Sequence, residues 1–418
     1  MKNIRFFQLF SGLLAFALSA SCLQGNEPSG LRVDGGQFVF DGKPCRLFGV
    51  SYFDAFTWSL SIADGSQTGG SDGTEEVLGK ADSTKGSPPA KKTFREGFRI
   101  LAEKGIPFAR FNCGGFFPKD WKLYREDPAR YFALLDDLVR EAESRKVGLI
   151  PCLFWSFFTV PGIVGEPLSA WGDPASKTHA FMKKYVGEVV GRYKDSPTIL
   201  GWEFGNEYVL EADLPAAQQA DLARWFQPEF GMPSKPGPGD HLTSAMIRTA
   251  YSEFAKAVRK IDAGRPIFTG DATPRSSAVA LEKTGNWGSD SADEWIAQLI
   301  KNNPDPVDTL SIHFYPFHKE AGVGLANKPF EETLDACIEA SKRSGKPLWI
   351  GEFAGAEIPD VALRRKQFQK ILDLLVARQV QLAAVWVFDY PQQPFMNIDI
   401  GTDNEFMLEA IAEANRQR

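Results

Sequence analysis

Cysteine is sparse in this chain, with five in 418 residues. Cys22 falls in an N-terminal leader, and Cys45, Cys113, Cys152 and Cys337 match no zinc-ligand spacing. Three of these four lie in apolar, strand-like runs, so buried free thiols are expected, with one disulfide left open in an oxidising compartment. Histidine is equally scarce. His179, His241 and His318 show no metal-ligand spacing, and no metal site is expected. There is no Lys/Arg block and the formal net charge is −6, which argues against nucleic acid as a partner. No Gly-rich phosphate loop follows an early strand, which counts against a doubly wound nucleotide-binding sheet. Beyond the leader no apolar run is long enough to span a bilayer.

The leader itself has a clear pattern. Lys2 and Arg5 precede the apolar run FFQLFSGLLAFAL, and the small residues SASC follow. That is the signature of a signal peptide over residues 1–22. Cys22 after small residues also fits a bacterial lipoprotein site, although Ser19 stands where such sites usually carry Leu. Export to the periplasm, the cell surface or the medium is therefore expected, with membrane contact only through a lipid anchor at Cys22. With 43% hydrophobic and 12% aromatic residues, the rest of the chain can fill a large core. Aromatics can also serve as flat platforms in sugar-binding clefts.

From residue 30 onward one organisation repeats to the end at 418. LRVDGGQFVFDGKP reads as a hairpin with Asp-Gly turns. Eight short apolar runs follow: RLFGVS, IPFARFN, VGLIPCLFW, TILGWEF, PIFTGD, TLSIHFY, PLWIGEF and AAVWVF. Helical periods lie between them, around Phe94–Leu101 and Leu134–Val139, and near 177–193, 243–262, 292–301, 331–343, 362–378 and 404–416. Gly105, Gly148, Gly264 and Gly345 precede strands and are expected to close helices in the left-handed conformation. Near-continuous apolar strands alternating with helices imply a parallel sheet buried on both faces. Eight such units predict an α/β fold, a (β/α)8 TIM barrel with an N-terminal hairpin. The length requires enlarged βα loops. The longest is 61–92, Gly/Ser/Asp/Lys-rich and aperiodic, which reads as a solvated insertion more readily than as a substrate gate. The Pro-rich 231–240 is the second.

Polar residues collect at the C-terminal ends of these strands, which converge on one pocket in a barrel. The second ends in Arg110 and Asn112, the fourth in Asn206 and Glu207, the sixth in His313 and Tyr315, the seventh in Glu352; the eighth carries Trp386, then Asp389, which has no assigned role. Two carboxylates suit glycoside hydrolysis, one as general acid and one as nucleophile. The two must differ in ionisation, with Arg110 and Tyr315 as natural partners of Glu352. Glu203 lies four residues before Glu207 on the same strand face, but deeper, and reads as a buried partner for Arg110 or another cation. Phe116, Phe117, Trp155, Phe157 and Phe158 read as packing.

The arrangement resembles glycoside hydrolase family 5, cellulase- and mannanase-like, within clan GH-A. Asn206-Glu207, Glu352, Arg110, His313-x-Tyr315 and Trp386 stand at the matching strands, and the resemblance spans about residues 31 to 400. It departs at Ser51, where the family often has Asn, and after the third strand, where CLFWSFF stands in place of a polar residue. The resemblance implies Glu207 as acid/base and Glu352 as nucleophile of a retaining hydrolase. It implies substrate binding by Arg110, Asn206, His313, Tyr315 and Trp386, with Asn206 at the sugar 2-hydroxyl and Trp386 as the subsite floor. The expected substrate is a β-linked polysaccharide or its oligosaccharides, β-1,4-mannan or β-1,4-glucan first, and no cofactor is expected. A transglycosylase would carry the same residues. A non-catalytic glycan-binding barrel would be favoured by loss of either Glu, and both are present.

Overall fold

The computed structural model of the protein describes residues 30–64, 92–215, 218, 220–316 and 322–417. The expected signal peptide over 1–22, with Cys22, lies outside the described residues, as do His318 and the 65–91 part of the long insertion. Two sheets organise the rest. β1 (Leu31–Asp34), β2 (Gln37–Phe40) and β3 (Lys43–Pro44) form an antiparallel meander. β4 (Leu47–Ser51), β5 (Phe108–Asn112), β6 (Gly148–Phe154), β7 (Trp202–Gly205), β8 (Ile267–Phe268), β9 (Leu310–Phe314), β10 (Leu348–Phe353) and β11 (Leu382–Val385) form the second. Its order is β8-β7-β6-β5-β4-β11-β10-β9, with parallel neighbours throughout. Every residue of these eight strands is buried, as the near-continuous apolar runs require.

The helices between the strands begin on local signals. Thr93, Ser176, Thr243 and Asp360 each accept a backbone N–H of the first turn, and Ser291 forms a capping box with Glu294. Helix ends depart from expectation in two of four cases. Gly105 and Gly345 are left-handed. Gly148 instead opens β6, and a Cβ there would meet the Leu200 side chain at 2.7 Å; one at Gly264 would meet Arg32 Nε at 2.9 Å. These two glycines make room for packing, and Lys146 takes the left-handed position after the helix Pro128–Ser144. Sequence periodicity also missed the helix Ala55–Asp64 and the short helices Thr159–Val164 and Ala278–Thr284.

Eight strands close into a barrel, and the closure is uneven. Among the described residues no backbone ladder joins β8 to β9. Side chains stitch that seam. Ser311 Oγ accepts the N–H of Thr269 and Gly270 at 3.1 and 3.3 Å, Asp308 accepts Ile267 N–H at 2.8 Å, and Thr309 donates to the Ile267 carbonyl at 2.7 Å. At the N-terminal end of the strands the meander plugs the interior. Leu31 and Phe38 pack with Leu47, Phe108, Ile150, Phe268, Trp349 and Leu382, all buried. Gln381 fixes the plug by a reciprocal pair of hydrogen bonds to the Phe38 backbone.

Candidate active site

Above the plug the barrel interior turns from apolar to charged, and one residue organises the change. Arg110, on β5, is fully buried. Its Nε donates to Glu203 Oε2 at 2.5 Å, one terminal nitrogen to Glu352 Oε1 at 2.7 Å and the other to Asn206 Oδ1 at 2.8 Å. Glu203 in turn accepts Trp349 Nε1 at 2.9 Å, which ties the charged layer to the plug beneath it. The Trp155 ring lies over the guanidinium at 4.6 Å. Burial works against the charge on Arg110, but Glu203 and Glu352 overrule it, and its pKa is pushed up.

Glu352 faces the interior because β10 is irregular. Ile350 pairs with Ile312, but Glu352 pairs with the very next residue of β9, His313, so Gly351 is an extra residue. Trp349 already points inward, and strict alternation would turn Glu352 outward. The bulge at Gly351 restores it to the pocket. Tyr315 donates to Glu352 Oε2 at 2.7 Å. Burial raises the Glu352 pKa, and Glu207 adds to the rise. The His313 ring, Arg110 and the Tyr315 hydrogen bond oppose it.

Glu207 enters from the end of β7 in the left-handed conformation, φ 57°, uncommon for a residue with a side chain. Three tethers hold this turn. Glu207 N–H donates to the Gly270 carbonyl at 3.1 Å, and Asn206 N–H to the Trp155 carbonyl at 3.1 Å. Asp271, after β8, accepts Val209 N–H at 3.0 Å and Tyr251 O–H at 2.6 Å, capping the short helix Tyr208–Glu211 that follows Glu207. Gly270 is itself left-handed, and a Cβ on it would fall 1.9 Å from the Gly205 carbonyl oxygen. Burial lifts the Asp271 carboxyl to about 7 against the hydrogen bonds from Tyr251, Val209 and Ala272 that favour its anion.

His313 links the two carboxylates. Its Nδ1 lies 2.8 Å from Glu207 Oε1 and 3.4 Å from Glu352 Oε2. Burial pushes its pKa down to about 3, so the ring is neutral at ordinary pH. Facing two acceptors, Nδ1 carries the proton. Atoms of Glu207, His313 and Glu352 lie within 4.8 Å of one another, the separation of a metal-binding trio. Both Glu352 oxygens, however, already accept from Arg110 and Tyr315. The same spacing suits two carboxylates that act from opposite sides of one bond and retain configuration.

The two glutamates open into a cleft of about 500 Å³. Asn206, Tyr315 and Trp386 share its wall with them, whereas Arg110 and His313 are fully buried behind it and meet the carboxylates instead of the cleft. Trp386 follows β11, and its Nε1 donates to Gln393 at 2.7 Å. Phe116, Trp155, Phe157 and Phe158 are buried in the core, as expected of packing residues, and also line the cleft; Phe117 stacks on Phe230 at 4.1 Å in the core. Asp389 is buried and accepts Tyr52 O–H at 3.1 Å. Sequence reasoning missed Asp271, Leu210, Glu211, Trp225 and Arg275. Asp271 carried the strand-end signal, in FTGD. Leu210, Glu211 and Trp225 sit on short 3-10 helices and Arg275 on a loop, segments too short or irregular to show a period.

Comparison with known proteins bears on this geometry. A family profile described as cellulase (glycosyl hydrolase family 5) matches residues 169–390. Mannan endo-1,4-beta-mannosidase 3 of Oryza sativa subsp. japonica is 24% identical over 313 residues, covering 68% of this chain and 54% of that protein, so the chain spans about half of that relative's length. Mannan endo-1,4-beta-mannosidase 7 of Arabidopsis thaliana is 24% identical over 383 residues, 81% of this chain and 72% of that protein. Among solved structures, the endo-1,4-beta-mannanase from Rhizomucor miehei has a TM-score of 0.62 at 17% identity, covering 93% of this chain and all of that one. At that identity the likeness speaks for the fold alone.

Proposed function

This chain belongs to glycosyl hydrolase family 5, the family of the matching cellulase profile, and from that premise we propose that it cleaves internal bonds of a β-1,4-linked mannan with retention of configuration. The observation that carries the reading is the pair Glu207 and Glu352, with oxygens within 4.8 Å at the mouth of one cleft. The mannan preference draws on the names of the curated relatives; β-1,4-glucan is the next substrate to try.

In the first step the Glu352 carboxylate attacks the anomeric carbon, the glycosidic C–O bond breaks, and Glu207 gives its proton to the departing oxygen. The product is a covalent glycosyl ester. In the second step Glu207, now anionic, takes a proton from water as that water attacks the same carbon and releases Glu352. Arg110 and Tyr315 hold the nucleophile in place and favour its charge. His313 steers Glu207 as a neutral donor in both steps. Asn206, fixed by Arg110 through its oxygen, presents its amide to the sugar, and Trp386 underlies the ring.

The test is a hydrolysis screen on mannan, glucomannan, cellulose, mixed-linkage glucan and xylan, with Glu352→Ala alongside. The expected result is oligosaccharide release from mannan by wild type, none by the variant, and β-anomeric products at early times. Activity surviving in Glu352→Ala, or α-anomers released first, sinks the mechanism. Glu207→Ala is expected to retain its first step only on aryl glycosides with good leaving groups.

A further inference from the structure

Among the described residues four large hydrophobic side chains are exposed, and Trp287, at 46%, is the one aromatic. Its indole is held on two sides. Nε1 donates to Gln218 Oε1 at 2.9 Å, and the Arg275 guanidinium carbon lies 5.7 Å from the ring centre. The loop that carries it is tied back as well. The helix Ala278–Thr284 ends at left-handed Gly285. Asp290 then returns to cap that helix, accepting Val279 and Ala280 N–H at 2.7 and 3.0 Å, and Ser277 Oγ donates to the Gly288 carbonyl. Gly288 sits so close to the helix that a Cβ would meet Ala280 Cβ at 2.7 Å. A rigid loop thus presents a fixed indole to solvent, which core packing does not require.

Arg275 connects this ring to the catalytic cleft. It lines the cleft, and it donates to the carbonyl of Leu210, which lines the cleft three residues after Glu207. Gln218, Arg275 and Trp287 all come from the loops after β7 and β8, the side of the barrel that delivers Glu207, whereas Trp386 comes from the end of β11. The departing half of the substrate takes its proton from Glu207, so it lies on the Arg275 side.

We propose that Trp287 is a stacking platform for a sugar unit of the departing half of the chain, beyond the unit bonded to the scissile oxygen. The inference rests on the hydrolase reading above. A β-1,4-linked pyranose offers a C–H-rich face to an indole, and a chain that runs out of the cleft past Arg275 reaches this ring next.

The experiment compares wild type, Trp287→Ala and Trp287→Phe on the six-unit oligomer of the β-1,4 backbone that wild type cleaves, mannan being expected, and on the aryl β-glycoside of its two-unit oligomer, whose departing aryl group ends short of the ring. The readout is the ratio of kcat/KM on the hexamer to that on the aryl glycoside. This ratio is indifferent to the folded fraction of each preparation. Trp287→Ala is expected to lower it about tenfold, the size of one ring-face contact, and Trp287→Phe to restore most of the loss. An unchanged ratio in Trp287→Ala from an active enzyme overturns the platform alone. A wild type inactive on every glycan overturns the hydrolase reading and the platform with it.

Discussion

Arg110 meets three acceptors with three nitrogens, and each contact has a different consequence. Glu203 anchors it to the barrel floor, Glu352 gains a fixed counter-charge, and Asn206 is oriented towards the cleft. Only a planar fork can do this, and a Lys ammonium cannot reproduce it. Arg110→Ala leaves Glu203 buried without its cation, which is expected to cost about 3–5 kcal/mol in denaturant unfolding. Tyr315 acts on charge more than on packing. Its hydrogen bond favours the Glu352 anion, while burial lifts the carboxyl above its ordinary value of 4.5. The nucleophile must be ionised, so the acid limb of kcat/KM should lie above that value. His313, down at about 3, cannot be its source. Tyr315→Phe removes a stabiliser of the anion. It should move the acid limb to higher pH and lower kcat about ten- to a hundredfold, the range for one hydrogen bond to a charged group.

At the scale of elements, two local irregularities aim the two carboxylates. The bulge in β10 turns Glu352 inward, and Gly351 is its hinge: a Cβ there would sit 2.8 Å from His313 Nε2. Gly351→Ala is expected to tilt the imidazole away from Glu207 and cost about a hundredfold in kcat, the usual penalty for a misplacement near 1 Å. The other irregularity is the left-handed Glu207 with its cap, Asp271. Asp271→Ala should slow hydrolysis of natural glycans more than that of activated aryl glycosides, because a displaced acid matters least when the leaving group needs no proton. A general loss of folded enzyme would slow both equally. Asp271 also gives stability a pH dependence. Its carboxyl rises from 3.8 to about 7 on folding, so the folded state holds the proton more tightly. The stability this gives is complete below about pH 4 and lost as pH rises through about 7. The denaturant midpoint of wild type should fall across that window more steeply than that of Asp271→Asn.

For the whole molecule, the meander under the barrel and the site above it share one core through Trp349, which packs on Phe268 at 5.1 Å and donates to Glu203. Phe38→Ala opens the plug and should cost about 3–5 kcal/mol, read as a lower Tm, with the acid limb of kcat/KM unmoved. Cys45, Cys113, Cys152 and Cys337 are free thiols, and burial pushes the Cys113 thiol up to about 12. Reductant should therefore leave Tm unchanged.

The sequence by itself determined the eight parallel strands and most of the helices, because period and capping are local properties. It also determined which polar residues stand at strand ends, since each run of apolar residues stops where the barrel meets solvent. It could not show that Glu352 faces inward. Counted from Trp349 the alternation turns it away, and only the register of β10 against β9 reveals the extra residue. Nor could it show that Arg110 and His313 lie behind the cleft wall and not in it. Asp271 comes under Glu207, and Trp287 beside Arg275, only when the ends of β7 and β8 are brought together. Those relations depend on distances between segments far apart in the chain, and such distances exist only once the barrel has closed.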